Sequence, residues 1–460
     1  MKSYLAPSAL LPGGWVNDVT IVIDDAGRIE RVASGAGDAG APRDAERLPG
    51  PVIPGMPNLH SHAFQRAVAG RTGIASPDRD DSFWTWRQAM YAFVDRVDPD
   101  ALEAIAAQAY VEMAKAGYTS VAEFHYVHHD PKGTAYADPA ELAWRIVAAA
   151  GSAGIALTLL PVFYAHAGFG GAAIVDAQRR FVHSTYTYSR LLDVLAAGAP
   201  ARGYTLGIAP HSLRAVTAEE LDRILRLAGT GTPIHIHAAE QTREVDDCCA
   251  WSGMRPVEWL LANAGVDARW CLVHATHMTA REVGALAASG AIAGLAPTTE
   301  ADLGDGTFPG EAYLQAAGRF GVGSDSNAII DPFAELRQLE WSQRLRLRRR
   351  NVLVDPSQPS IGTSLWRAAA AGGAQALAQH TGSLAAGAYA DLLVLDPDEP
   401  ALAGQATGRT LDAAIFGPCR RPVRDVMSRG RWIVREGRHP REAEVLQRYR
   451  AAIARIDALA

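Results

Sequence analysis

Eight short apolar runs, each followed by an amphipathic stretch, recur between about residues 54 and 380 and constrain the fold more than any other feature of the chain. They end near His60, Phe124, Val162, Ala209, His237, His274, Ala296 and Gly323. Short apolar runs bounded by turn residues read as strands buried on both faces. Two of the intervening stretches, Thr217-Ala218-Glu219-Glu220 and Thr279-Ala280-Arg281-Glu282, fit a capping box, in which Thr and Glu side chains satisfy the free amides of a helix start. Strand and helix alternating eight times predicts an α/β protein built on a (β/α)8 TIM-type barrel, which places chemistry at the carboxyl ends of its strands.

Both ends of the chain use a different grammar. Ile21-Val22-Ile23, the turn signal Asp24-Asp25-Ala26-Gly27 and Ile29-Glu30-Arg31-Val32 read as a hairpin. Comparable runs return at 390–396 and 426–434. The expected organisation is a small β-sandwich domain drawn from 1–53 and 381–445, a catalytic barrel over 54–380 and a C-terminal helix over 446–460.

At 460 residues, 48% hydrophobic and 20% charged, the chain reads as an ordinary globular protein. A net charge of -6 speaks against a nucleic-acid partner. No apolar run approaches the roughly 18 residues that would cross a membrane. The first residues lack the basic stretch and long apolar core of a signal peptide, so a cytoplasmic protein with no membrane partner is expected. The cysteines, Cys248, Cys249, Cys271 and Cys419, form no C-x-x-C, so neither a disulfide framework nor a thiolate metal site is expected. The basic run over 344–350 reads as a solvated helix face or a source of intersubunit salt bridges.

The polar clusters stand at the strand ends. His60-Ser61-His62 closes the first run, and alternate strand residues share a face, so its two imidazoles can converge on one zinc or iron ion. Run five ends Pro233-Ile234-His235-Ile236-His237-Ala238-Ala239-Glu240, run six ends at His274, and run eight leads into Ser324-Asp325-Ser326-Asn327. Each has a plain structural alternative: a satisfied core histidine at 235 or 237, a helix cap at 274, a loop-opening aspartate at 325. Their joint occurrence at strand mouths one, five, six and eight favours a common site.

That constellation resembles the amidohydrolase superfamily in its deaminase branch, and the segment from Gly382 to Asp396 is similar to the family's closing segment. The resemblance implies that His60, His62, His237 and Asp325 hold one divalent metal, with zinc favoured and iron(II) the alternative by ligand type. His235, one pleat repeat further from the mouth, is assigned to packing. Binuclear members bridge two metals with a carboxylated lysine at the end of strand four. Here that strand reads Gly207-Ile208-Ala209-Pro210-His211-Ser212, and the only lysines are Lys2, Lys115 and Lys132, which implies a mononuclear site. Asp325 is then expected to move the proton of the attacking water, Glu240 a proton at the substrate nitrogen, and His274 to stabilise the tetrahedral intermediate.

Longer stretches, Met56 to Ala67, Phe83 to Arg87, Glu123 to His129, Ala250 to Trp259 and Pro297 to Gly306, resemble deiminases of that branch acting on a linear amidine with two carboxylates. A small-molecule dicarboxylate calls for planar arginine forks. Arg214 and His211 after strand four, Gln65 and Arg87 after strand one, and Tyr126 after strand two are the expected substrate contacts. Trp84 and Trp86 are assigned to packing or the wall. A homo-oligomer, a dimer, is a further family-level expectation. Two rival readings are a purine, pyrimidine or nucleoside deaminase, which would line the pocket with stacking rings and amides, and a barrel without catalysis, which would have lost ligands.

Overall fold

The computed structural model describes residues 1–35, 44–73, 75 and 81–459. Eight central strands are present: β1 (Met56–Ser61), β2 (Tyr118–His125), β3 (Ala156–Phe163), β4 (Ala209–Pro210), β5 (Ile234–Ala238), β6 (Trp270–His274), β7 (Ile292–Leu295) and β8 (Arg319–Val322). Each ends within two residues of its expected position. They pair in parallel in two sets, β1–β2–β3–β4 and β5–β6–β7–β8. Isolated parallel bridges join Ile208 to Ile234, Ser212 to His237, and Ser61 to Asp325. Apart from Arg319 at the start of β8, every residue of these strands is buried, as parallel strands covered by helices require.

Helices connect the strands, and local chemistry sets their ends. In Pro99–Ala116, Asp98 accepts the amide of Ala101 at 2.7 Å, Pro99 opens the first turn, and Gly117 closes it with φ 108°. A Cβ at Gly117 would stand 2.8 Å from Leu393 Cδ1, so both the backbone angle and the close packing call for glycine there. The expected capping boxes form: Thr217 and Glu220 exchange bonds of 2.9 and 3.2 Å, and Thr279 and Glu282 exchange bonds of 2.8 and 3.3 Å.

The two chain ends meet in an eight-stranded sheet. Its order runs from Arg431–Val434 through Val423–Ser428, Leu392–Leu395, Val52–Pro54, Lys2–Leu11 and Gly14–Ile23 to Ile29–Ser34, with Glu46–Arg47 beside Lys2–Leu11. Val52–Pro54 leads directly into β1, and Trp366 Nε1 donates to Pro54 O at 3.0 Å, so the sheet is tied to the strand that ends in His60-Ser61-His62. Tyr4, Ile21, Val52, Leu392, Val394 and Met427 form its core.

The C-terminal part adds three details, of which the start of the last helix departs from expectation. The 426–434 run is a hairpin that turns at Arg429 (φ 47°) and Gly430 (φ 72°), the paired positive angles that a tight hairpin turn demands. The C-terminal helix begins earlier, at Glu442, where Lys115 Nζ meets Glu442 Oε2 at 2.6 Å; it runs to Asp457, and residue 460 lies outside the described residues. The basic run ends the helix Pro332–Leu347 as a largely exposed face, one of its two expected readings, and two of its arginines pair inside the chain, Arg344 with Glu340 and Arg349 with Glu311. No helix among the described residues is long and apolar enough to cross a membrane.

Candidate active site

The ends of β1, β5, β6 and the loop after β8 meet at one point. Nε2 of His62 and Nε2 of His237 each lie 3.1 Å from Nε2 of His60. His62 Nδ1 donates to Phe124 O at 3.1 Å and His237 Nδ1 to His211 O at 2.9 Å. A carbonyl only accepts, so both Nδ1 atoms carry the proton and both Nε2 atoms present bare lone pairs. His60 can donate from Nε2 to one of them at most. Converging lone pairs at this separation repel unless a cation sits among them, so the donor set fits a metal ion. Among the described residues, this is the group of three whose ligand atoms lie close enough to share one ion.

Asp325 places a carboxylate beside the three imidazoles. Its Oδ1 lies 3.5 Å from His60 Nε2 and 3.3 Å from His62 Nε2. Burial alone would raise its pKa, but the hydrogen bond and charge of His60, with His274 and His62, hold it well below the usual carboxylate range. The imidazoles shift the other way: burial takes His60 down to about 3 and lowers His62 and His237 as well. Phe124, 5.0 Å from the His60 ring and 4.5 Å from that of His237, supplies much of this apolar wall. A carboxylate beside neutral imidazoles is the protonation state a hard-to-borderline divalent cation takes.

The backbone holds this geometry by cross-ties between β1 and the loop after β8. His62 N donates to Asp325 O at 2.9 Å and Asp325 N to His60 O at 2.9 Å. Asn58 Oδ1 accepts Ser324 N at 3.1 Å, the Ser324 hydroxyl donates to Asn327 Oδ1 at 2.7 Å, and Asn327 Nδ2 donates to His62 O at 3.0 Å. Asp325 has φ 41°, a left-handed backbone rare outside glycine, which these bonds sustain. Gly323 lets the two segments approach so closely: a Cβ there would meet His60 N and O at 2.7 Å.

Beyond the cluster, His274 lies with Nε2 3.6 Å from Glu240 Oε1 and 3.8 Å from Asp325 Oδ2. Burial would depress it, but Glu240, the Glu300 hydrogen bond and Asp325 outweigh that and hold it up at about 10. Burial pushes Glu240 up to about 7 against the pull of His274 and Arg214. Arg214 Nη2 is 3.7 Å from Glu240 Oε2, its side chain is 11% exposed, and its buried Nε has no partner. Gln65 Nε2 donates to the Tyr126 hydroxyl at 2.9 Å while its Oε1 is buried and unpartnered. The short helix carrying Gln65 is anchored by Ala63 N to Glu123 Oε1 at 2.7 Å.

A cavity of about 50 Å³ gathers these groups: His62, His237, Glu240, His274 and Asp325, together with Gln65, Arg87, Tyr126, His211 and Arg214. It shares Arg87, Tyr91 and Arg214 with an outer chamber of about 850 Å³ that also holds Trp84, Arg243 and Trp251. Arg87 and Arg243 stand over the Trp84 ring at 4.6 and 4.9 Å, so the entrance is both cationic and aromatic. Trp86 lines the inner cavity and Trp84 the outer one.

His235 points elsewhere, its Nε2 bonded to Ala376 O at 2.8 Å. No lysine among the described residues lies at the cluster; Lys115 is paired with Glu442, and Lys2 and Lys132 are exposed. Sequence reasoning missed the wall residues Tyr91, Tyr164 and Phe181, brought in by distant segments. It also assigned no role to Glu300, although a glutamate inside the buried stretch after β7 was a readable signal.

The model of the amidohydrolase family matches residues 52–433. The chain is 54% identical over 442 residues to a formimidoylglutamate deiminase of Pseudomonas aeruginosa, an alignment covering 96% of each chain. It is 28% identical over 360 residues to a 5-methylthioadenosine/S-adenosylhomocysteine deaminase of Natronomonas pharaonis, covering 76% of this chain and 74% of that one. It superposes on a crystal structure of an amidohydrolase from Brucella melitensis with a TM-score of 0.94, 47% identity and full coverage of both chains. An adenosine deaminase from Xanthomonas campestris with bound zinc shares the fold, with a TM-score of 0.81, 21% identity and coverage of 99% and 98%.

Proposed function

The chain belongs to the amidohydrolase family, and from that premise we propose that it hydrolyses N-formimino-L-glutamate to N-formyl-L-glutamate and ammonia, a step of histidine breakdown. The observation that carries this reading is the composition of the inner cavity. Its lining offers imidazoles and carboxylates together with Arg87 and the buried Arg214, whose Nε has no partner. An anionic substrate with a hydrolysable C–N bond uses both kinds of group. A purine or nucleoside brings no carboxylate to the unpaired edge of that guanidinium.

In this reading His60, His62, His237 and Asp325 hold one divalent ion per chain, zinc by ligand type. A bound divalent ion lowers the pKa of water towards about 7 and so supplies a nucleophile at neutral pH. Asp325 takes the proton of the attacking water and returns it to the departing nitrogen. Glu240 handles the proton at the substrate's formimino nitrogen, and His274 donates to the oxygen of the tetrahedral carbon. Arg214, Arg87, Gln65, Tyr126 and His211 bind the carboxylates and orient the amidine carbon.

The architecture proposed with this function is a closed (β/α)8 barrel over 54–380, formed by the eight central strands and their bridges. The sheet from 1–53 and 381–445 would be its small β-sandwich partner, with the C-terminal helix packed outside. A homodimer is proposed on family grounds, and a cytoplasmic location because the proposed reaction is a step of metabolism. The test is ammonia release by the purified protein given formiminoglutamate, guanine, adenosine or cytosine in parallel. Formiminoglutamate alone is expected to yield ammonia at an enzymatic rate; turnover of a nucleobase or nucleoside in its place refutes the assignment.

A further inference from the structure

We propose that Glu300 is a positioning residue for His274: its carboxylate accepts a hydrogen bond from the Nδ1–H of that imidazole, so that Nε2 is the nitrogen presented to the reacting carbon. The inference rests on the reading that His274 faces substrate. His274 closes β6 with φ 67° and is followed by Ala275 with φ 47°. Both lie in the left-handed region, where the regular strand ladder no longer dictates how the ring is aimed. Contacts must set it. On the Nε2 side lie Glu240 Oε1 at 3.6 Å and Asp325 Oδ2 at 3.8 Å, both cavity residues. On the Nδ1 side stands Glu300 Oε1 at 3.4 Å, a separation that commonly tightens when substrate closes a site.

Glu300 is itself fixed. It lies in the helix Pro297–Leu303, is 4% exposed, and its Oε1 also accepts Ala296 N at 3.1 Å. It does not line the cavity, so it can act on the reaction only through His274. A buried carboxylate on one imidazole nitrogen fixes the ring orientation in which the other nitrogen faces the reaction, as outer partners of metal-bound histidines do. Without it the ring can rotate and offer the wrong atom.

The test combines a spectroscopic and a kinetic measurement. In protein labelled with 15N in the histidine rings, the Nδ1 proton of His274 is the hydrogen-bonded resonance missing from His274→Asn. In Glu300→Gln, which keeps shape and an acceptor but loses the charge, that resonance is expected to persist and move upfield. In Glu300→Ala it is expected to vanish into exchange with water. With formiminoglutamate, Glu300→Ala should lose about 10- to 100-fold in kcat with KM and metal content little changed. An unmoved resonance in Glu300→Gln, or unchanged kcat in a folded Glu300→Ala, overturns the proposal; if Glu300→Ala does not fold, Glu300→Gln decides alone. The spectra need no substrate. A failure of the wild-type protein to act on formiminoglutamate would refute the proposed function and leave this contact standing.

Discussion

Glu240→Gln is expected to keep the metal and lose about 100- to 10,000-fold in kcat, the usual contribution of a positioned acid–base group. Glu240 lies beyond β5, three residues after His237, and its carboxylate sits between His274 and Arg214 at 3.6 and 3.7 Å. The amide swap preserves shape and hydrogen-bonding reach but cannot carry a proton between water and the formimino nitrogen. The local backbone should not move, because it is held by another residue: Glu244 accepts the amides of Ala239 and Glu240, each at 3.1 Å. Ala239, at φ 53°, keeps its turn for the same reason. Metal content by elemental analysis separates the outcomes. Loss of the ion from Glu240→Gln would make Glu240 a ligand or a fold determinant instead.

Arg214→Ala is the second large effect. Its guanidinium lies at the boundary between the inner cavity and the outer chamber, with Glu240 as its nearest carboxylate and a buried Nε still unpaired. Burial would lower its pKa, but Glu244 and Glu240 more than compensate, so the group stays charged, and its unpaired Nε leaves one edge of the fork open to a substrate carboxylate. Removing it strands a substrate carboxylate in a cavity with little water. The expected cost is about 2–5 kcal/mol in kcat/KM, with the metal retained. Arg214→Lys should recover little, since a single ammonium cannot reproduce a two-pronged contact. Normal kcat/KM in Arg214→Ala would mean that the carboxylate is held elsewhere, with Arg87 the first alternative.

The legible part of this molecule lies where local rules and the global fold agree. The eight central strands were readable because strands buried on both faces are short apolar runs with turn residues at their ends. The polar groups stood out because His60, His62, His237, His274 and Asp325 interrupt those runs at the same end. What stayed hidden depends on long-range packing. β4 shrinks to two residues, with a separate short strand at Thr205–Leu206, and between them Gly207 packs where a Cβ would lie 2.5 Å from Leu160 Cδ2. Phe181 and Tyr164 reach the cavity from segments with no catalytic signature of their own. Glu300 acquires meaning only once the left-handed turn of His274 brings Nδ1 to its carboxylate. The buried rings of His125, His128 and His183, whose successive centroids lie 5.2 and 4.5 Å apart, were likewise invisible as a group.

The central claim is that one metal ion per chain, held by His60, His62, His237 and Asp325, is needed to deaminate a dicarboxylate amidine. Its most direct test is ammonia release from formiminoglutamate by chelator-stripped protein as zinc is added back in measured amounts. The account predicts no turnover without metal and a linear rise that saturates near one ion per chain. Full activity in the stripped protein, or saturation only at two ions per chain, would contradict it.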